Sequence, residues 1–320
     1  MLTIYWADSS APLRWQAGGA MPSAKAPLWF DLVDPSDEER RYVEAALNAK
    51  LPTRDQTSAL ELSSRMRATA TMLRLNLPAF VRAEQGQGSM TPLALVLTPQ
   101  QLVSIRYADS LAFNLLDNAM RGADVHANSV DLFVALLEAI VNVGADRLQE
   151  IAADLSRQSR AIFSESHEHS RQLRGALFKV GSLQRQVTQI RQAMLGTSRI
   201  VTWLRDAAPD WIGTDAHTRL CTVHTDIGAL TEFDQQLNDR IQFLLDAVLG
   251  FINNDQNDIM KVLTVITVVT IPPMILAGIW GMNFKSIPEY NWEHGYAFGL
   301  TMIALSMLLP LAWFRWKKWV

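Results

Sequence analysis

Two long segments near the C-terminal end carry no charged residue, and they limit the possible folds of this chain more than any other feature. Val262 to Trp280 would reach about 28 Å as a helix at ~1.5 Å rise per residue, close to the thickness of a bilayer core. The second run, Gly295 to Phe314, ends in Arg315-Trp316-Lys317-Lys318-Trp319, a mixture of cations and aromatics typical of a cytosolic membrane interface. Two membrane crossings are therefore expected. Pro272 and Pro273 lie inside the first run, where neighbouring membrane helices can re-satisfy the freed backbone groups. The connecting loop, 284–294, carries Glu289 and Glu293 against one Lys285, so the positive-inside rule puts the loop outside and both chain termini in the cytosol. A pair of helices buried in a soluble core would also be apolar. The basic residues at the far end only, with two spans of membrane length, fit the bilayer rules together.

The rest of the chain, to about residue 258, reads as a soluble protein. Net charge is −3 and no basic patch is interleaved with stacking aromatics, which excludes a nucleic-acid partner. The single cysteine, Cys221, rules out an intrachain disulfide and suits a reducing compartment. Met1-Leu2-Thr3-Ile4-Tyr5-Trp6 has neither the basic flank nor the apolar run of a secretory signal, so the bulk of the chain is expected in the cytosol.

Upstream of the first span, Leu220, Val223, Ile227, Leu230, Leu237, Ile241, Leu244, Val248 and Phe251 recur three and four apart, with Asp234 breaking the line. This heptad seam, with no stop before Pro272, predicts one helix from about 215 to 280, and a helix that long needs partners. A second line on it reads Asp246, Gly250, Asn253, Asn257, Met260, Leu263, Thr267, Ile271, Met274 and Gly278. Around a central axis that line would supply polar rings and apolar constrictions, the means by which channels select and gate. Alternatively, Asn253 and Asn257 simply face solvent above the membrane. One two-span subunit cannot enclose an aqueous path, so conduction requires a closed, rotationally symmetric oligomer.

At the outer end of the first span stands Gly278-Ile279-Trp280-Gly281-Met282-Asn283-Phe284. The Gly281-Met282-Asn283 triplet closes the first of two C-terminal spans and is followed by Pro288-Glu289, a second span and a Lys317-Lys318-Trp319 tail. In these features the chain resembles the CorA family of magnesium transporters. Trp29-Phe30-Asp31-Leu32-Val33-Asp34-Pro35, Gly250-Phe251-Ile252-Asn253 and the paired prolines support the likeness, which covers the chain in order. A ring of asparagine carbonyls offers neutral oxygens to the waters of a hydrated cation, which suits Mg²⁺ because it sheds water reluctantly. Gly281 would allow a close turn at the mouth, and Asn283 could also serve as a left-handed helix cap.

The resemblance implies a bacterial inner-membrane homopentamer with a CorA-like cytosolic funnel, a transported Mg²⁺ and no cofactor. It places Asp246, Asn257, Met260, Leu263, Thr267, Ile271 and Met274 on the pore-facing line, with Met260 and Leu263 as the apolar constriction. Met274 departs from the hydroxyl residue common at its position. Intracellular Mg²⁺ closes family members by binding acids between subunits. Thr222 stands at one such position here, with Asp226 a turn away.

The fold class expected is an α+β cytosolic domain with long helices and two transmembrane helices. It divides as 1–127 for an α/β layer, 128–258 for the funnel wall and stalk, and 259–320 for the membrane. Strand-like runs fall at Leu2-Trp6, Leu28-Val33, Thr71-Leu77, Leu93-Leu97 and Leu102-Tyr107. A helix starts in Asp34-Pro35-Ser36-Asp37-Glu38-Glu39, and Leu51 to Met66 reads as another. After Asn128 a long helical hairpin is predicted, broken near Ser164 to Ser170 and ending about Arg205. Its second arm has no acid between Ser170 and Arg205, but carries Arg171, Arg174, Lys179, Arg185, Arg191, Arg199 and Arg205. Magnesium members of the family often carry acids there, so this arm leaves the ion open. The bland alternative is a solvated face that pairs with acids on neighbouring helices.

His217, Cys221 and His224 share one helical face with ligand types that suit Zn²⁺, against the alternative of simple packing. His167-Glu168-His169 falls in a predicted exposed turn. The readings that follow are Mg²⁺ transport, with Co²⁺ or Ni²⁺ as further cargo; Zn²⁺ transport within the same family; and, from another class, a non-conducting membrane-anchored sensor or scaffold. No phosphate loop, nucleophile elbow or convergent acid–base set points to an enzyme.

Overall fold

The computed structural model describes residues 1–7, 12–15, 26–58, 66–82, 88–121, 128–163, 169–283 and 292–319. It falls into two compact units, one of residues 1–165 and 176–244, the other of residues 166–175 and 245–320.

The first unit is built on a seven-stranded sheet: β1 (Leu2–Tyr5), β2 (Leu13–Trp15), β3 (Trp29–Val33), β4 (Met66–Ala68), β5 (Leu73–Arg82), β6 (Gly88–Leu97) and β7 (Leu102–Arg106). The spatial order is β2-β1-β3-β7-β6-β5-β4, with β3 and β7 parallel and every other pair antiparallel. The central strands β3 and β7 are buried on both faces, and their side chains are apolar except for Asp31, Ser104 and Arg106. α1 (Asp37–Leu47) starts at Ser36, whose hydroxyl accepts from the Glu39 N–H while Glu39 reaches back to the Ser36 N–H, a reciprocal cap that satisfies two donors at that turn. Val43 of α1 packs with Ile4, Phe30, Leu32, Val103 and Ile105 on one face of the sheet.

α2 covers only Arg54–Ser58, and Met66 already belongs to β4, so the helix expected over Leu51 to Met66 is corrected to this short segment within the described residues. β5 and β6 run further than their apolar cores suggested. Pro78 and Pro92 sit opposite each other in this hairpin, beyond Leu75 and Leu93, where the flanking ladders of β4 and β7 stop. A residue without an N–H costs nothing where no strand waits to receive one.

A buried polar network crosses the sheet centre. Asp31 accepts from Arg106 Nη2 at 2.8 Å and from Ser104 Oγ at 2.6 Å, and the Trp29 indole donates to Ser104 Oγ at 2.9 Å. Arg106 also donates to Asp109 at 3.0 Å and lies over the ring of Phe113, 4.8 Å from its centroid. Phe113 belongs to α3 (Leu111–Arg121), on the opposite face of the sheet from α1. Burial pulls the Arg106 guanidinium down, and its hydrogen bonds to Asp31 outweigh that and raise it.

α4 (Ser129–Ile162) begins at Asn128, whose side chain accepts from the Asp131 N–H, and Ser129 is tied to the Thr98 carbonyl at 2.7 Å. α5 (His169–Ala207) returns along it. A Cβ at Gly144 would come within 2.7 Å of Met194 Cε, so glycine lets the two helices close there. A Cβ at Gly196 would likewise meet Pro78 of β5 at 2.7 Å. α6 (Thr214–Trp280) follows a 3₁₀ turn at Asp210–Ile212 and spans 67 residues, about 100 Å at 1.5 Å per residue.

The heptad seam of α6 finds its partners inside the chain. Leu220, Val223, Ile227, Leu237, Ile241 and Leu244 are buried, and Arg219 of α6 binds Glu138 of α4 through two hydrogen bonds. Asp234, the break in the seam, is buried against Arg191 of α5, whose Nε donates to it. One of the seven bases of α5 is thus a partner for an acid on a neighbouring helix. Burial holds the Asp234 carboxyl above the usual range, the Arg191 hydrogen bond offsets only part of that, and its Oδ1 has no partner.

Because the folded chain binds the Asp234 proton more tightly than the unfolded chain, this group costs stability as pH rises. Arg191→Leu should therefore cost about 2 kcal/mol near pH 8, less than the ~3–5 typical of a fully buried pair because Arg191 is a third exposed, and the loss should shrink as pH falls. Thermal unfolding of the full chain from pH 8 to pH 4.5 measures it. A pH-independent loss would mean that Arg191 acts by packing alone.

Candidate ion-conduction site

The second unit contains α6 from Leu245 onward and α7 (Gly295–Trp316). Both helices are long and apolar enough to cross a membrane. At one end they meet through Val265 and Val269 of α6 and Phe314 of α7, with Trp319 stacked on Phe314 at 5.6 Å between centroids. At the other end Trp280 of α6 meets Phe298 of α7 edge-on at 6.4 Å, and Trp292 closes on the same ring at 5.5 Å. The pair therefore forms an antiparallel hairpin whose basic end carries Arg315, Lys317 and Lys318.

Everything on the predicted pore line is exposed in the single chain. Asp246, Asn253 and Asn257 are open, and Met260 and Leu263 expose 57% and 54% of their surface, Ile271 41% and Met274 63%. Large apolar side chains left open beside polar ones on a membrane helix call for a covering surface, either lipid or further copies of the chain. Thr267 donates its hydroxyl proton to the Leu263 carbonyl at 2.8 Å, so the donor is satisfied within the helix while the oxygen's lone pairs still face outward. Two acids extend the same line away from the membrane: Asp239 and Glu232, seven and fourteen residues before Asp246, are also exposed. Their heptad spacing continues the line that the sequence predicts from Asp246.

The helix continues through Pro272 and Pro273, so the N–H donors that would reach the carbonyls of Val268 and Val269 are missing. Its last turn tightens into the triplet. Gly281 N–H donates to the Ala277 carbonyl at 2.9 Å and Met282 N–H to the Ile279 carbonyl at 3.3 Å. A Cβ at Gly281 would press to 3.1 Å from the Ala277 oxygen, and this crowding, rather than a left-handed turn, favours glycine there. Asn283 leaves the helix exposed, and it is not left-handed, which corrects the cap reading. Its carboxamide makes no hydrogen bond among the described residues and is free to face a ligand. Pro288 and Glu289 lie outside the described residues.

The expected trio of His217, Cys221 and His224 is corrected. Among the described residues no group of three or more His, Cys, Asp or Glu side chains converges. The helical spacing brings His217 Nδ1 to 3.7 Å from Cys221 Sγ, but His217 Nε2 faces the Arg205 carbonyl at 3.2 Å, and His224 Nδ1 is buried with no partner. Thr222 donates its hydroxyl to the Thr218 carbonyl and Asp226 is exposed. His167 and Glu168 lie outside the described residues, and His169 opens α5.

A family model described as CorA-like Mg²⁺ transporter protein matches residues 24–318. Among curated proteins, the magnesium transport protein CorA of Escherichia coli K12 is 28% identical over the full length of both chains. Its namesake in Salmonella typhimurium LT2 is 30% identical over 92% of each. Among solved structures, the CorA magnesium transporter of Methanocaldococcus jannaschii aligns over 100% of this chain and 98% of its own, with a TM-score of 0.74 at 16% identity. The cytoplasmic domain of ZntB from Vibrio parahaemolyticus aligns with 80% of this chain and 96% of its own, with a TM-score of 0.54 at 14% identity.

Proposed function

Because this chain belongs to the CorA-like Mg²⁺ transporter family, a family of divalent-cation transporters rather than enzymes, we propose that it conducts hydrated Mg²⁺ through a pore made by five copies of α6. The observation that carries the reading is the open line on α6, from Asp246 through Asn257 to the last turn before Asn283, which no other part of the described chain covers.

In this arrangement both termini lie in the cytosol and the 284–294 loop lies outside the bacterial inner membrane. Gly281, Met282 and Asn283 form the outer filter, where carboxamide oxygens accept hydrogen bonds from the ion's waters. Such contacts discriminate without stripping the shell, which Mg²⁺ resists losing. Asn257, Asn253 and Asp246 supply polar rings on the cytosolic side. Met260 and Leu263 form the apolar constriction, a ring wide enough for water yet unable to hydrogen-bond it, and therefore closed by dewetting. Thr267, Ile271 and Met274 line the stretch between gate and filter.

Zn²⁺ transport is the second reading, favoured by the absence of acids from 170–205. Ion flux into liposomes holding the purified protein, read with internal Mg²⁺ and Zn²⁺ indicators, separates them. Mg²⁺ flux supports the proposal, Zn²⁺-selective flux replaces it with the second reading, and flux of neither ion favours a non-conducting sensor. Leu263→Asn should raise flux by about tenfold at high cytosolic-side Mg²⁺, since a polar ring stays wet. An unchanged closed state would remove Leu263 from the gate.

A further inference from the structure

The outer end of the α6–α7 hairpin frames a half-open cavity of about 540 Å³ beside the proposed filter. Its walls come from the end of α6, with Trp280 and Gly281, and from the start of α7 and the residues before it, with Trp292, Glu293, Tyr296 and Gly299. The Trp280 ring lies over Gly299 of α7. A Cβ there would already touch the ring at 3.6 Å. Trp292 is held by its edge-on contact with Phe298.

Tryptophan and tyrosine at this depth are ordinary for a membrane interface. A concave site that adds a carboxylate to three aromatic side chains is more specific. Aromatic faces and one carboxylate attract an organic ammonium ion, whose charge is diffuse enough to sit over a ring. Mg²⁺ fits the aromatic wall poorly, because it keeps its water shell and so gains little from ring faces that favour a diffuse, weakly hydrated charge. Among the described residues no basic side chain lines the cavity, so its walls offer a phosphate or carboxylate group no cationic anchor. The floor is apolar, with Leu300 and Ile303, and suits the glycerol and upper acyl region of a lipid. Molecules that present an ammonium group above an acyl chain at this depth are the amine-bearing phospholipids.

We propose that this cavity binds the ammonium headgroup of a phospholipid, with Glu293 as counter-ion and Trp280, Trp292 and Tyr296 as the aromatic wall. Gly281, the first residue of the filter triplet, forms part of the same wall, so occupancy stiffens the last turn of α6 behind Asn283. The inference rests on the membrane placement of α6 and α7. It is tested by binding, so a failed flux assay leaves it standing.

The purified full-length protein in detergent is titrated with dihexanoylphosphatidylethanolamine or dihexanoylphosphatidylglycerol, and its melting temperature and assembly mass are followed. The ethanolamine lipid should raise the melting temperature saturably and the glycerol lipid should not. Glu293→Gln and Trp292→Ala should each weaken the apparent affinity by about tenfold at unchanged assembly mass. On the unmodified protein, glycerophosphoethanolamine should compete and glycerophosphate should not. Equal responses to the two lipids, variants that respond like the parent, or no competition by the amine headgroup would overturn the assignment. A fall in assembly mass in Trp292→Ala would overturn it in favour of a neighbouring copy seated in the cavity.

Discussion

Asn283→Ala should abolish selective Mg²⁺ uptake while leaving the assembly intact. The carboxamide is exposed at the end of α6 and makes no hydrogen bond among the described residues, so its removal takes nothing from the fold. In a ring, two or three such groups engaging the ion's waters at once, at about 1 kcal/mol each, correspond to roughly a hundredfold in uptake. Liposome flux with an internal Mg²⁺ indicator measures the loss, and light scattering on the purified protein measures the assembly. Uptake within a few fold of the parent would sink the filter assignment. A collapsed assembly would instead make Asn283 a contact between copies.

Arg106→Met should be the most damaging single change in the sheet. It removes the guanidinium that donates to Asp31 at 2.8 Å, and Asp31, only 3% exposed, is left with Ser104 as its remaining side-chain donor. Stranding a buried carboxylate costs about 3–5 kcal/mol, a large part of the ~5–15 kcal/mol that holds a typical protein folded. Replacing both partners, Asp31→Leu with Arg106→Met, should be milder because no charge is left behind. Melting of the full chain provides the comparison. A single variant within 1 kcal/mol of the parent would show that water reaches Asp31.

The long elements were legible in the sequence because each carries a signal spread over many residues. The two spans announced themselves by missing charge, α4 by apolar residues recurring at helical spacing after Asn128, and α6 by thirty residues of heptad spacing. The short elements were not. Leu13–Trp15 and Met66–Ala68 are three-residue edge strands with no room for an alternating pattern, and they exist because a neighbour offers them a ladder. The heptad seam showed that α6 needs partners but could not say whose. Arg191 and Glu138 place α5 and α4 of the same chain against it, and Arg191 explains why an acid sits in an apolar line. Spacing also aligned His217, Cys221 and His224 correctly on one face, yet could not foresee that the Arg205 carbonyl would stand against His217. The positions proposed for the filter and pore line stand exposed on α6 at the helical spacing read from the sequence, and the flux measurements above decide their roles.

The two prolines within α6 have a mechanical consequence. A helix resists bending through its ladder of axial bonds, and at 272 and 273 two successive rungs are absent, so stiffness drops there more than anywhere else along the rod. Met260 and Leu263 lie on one side of that compliant point and Asn283 on the other. A torque applied from the cytosolic side is largely spent in flexing the joint before it reaches the outer mouth. In the proposed pore, the constriction would therefore swing open while the filter keeps its dimensions.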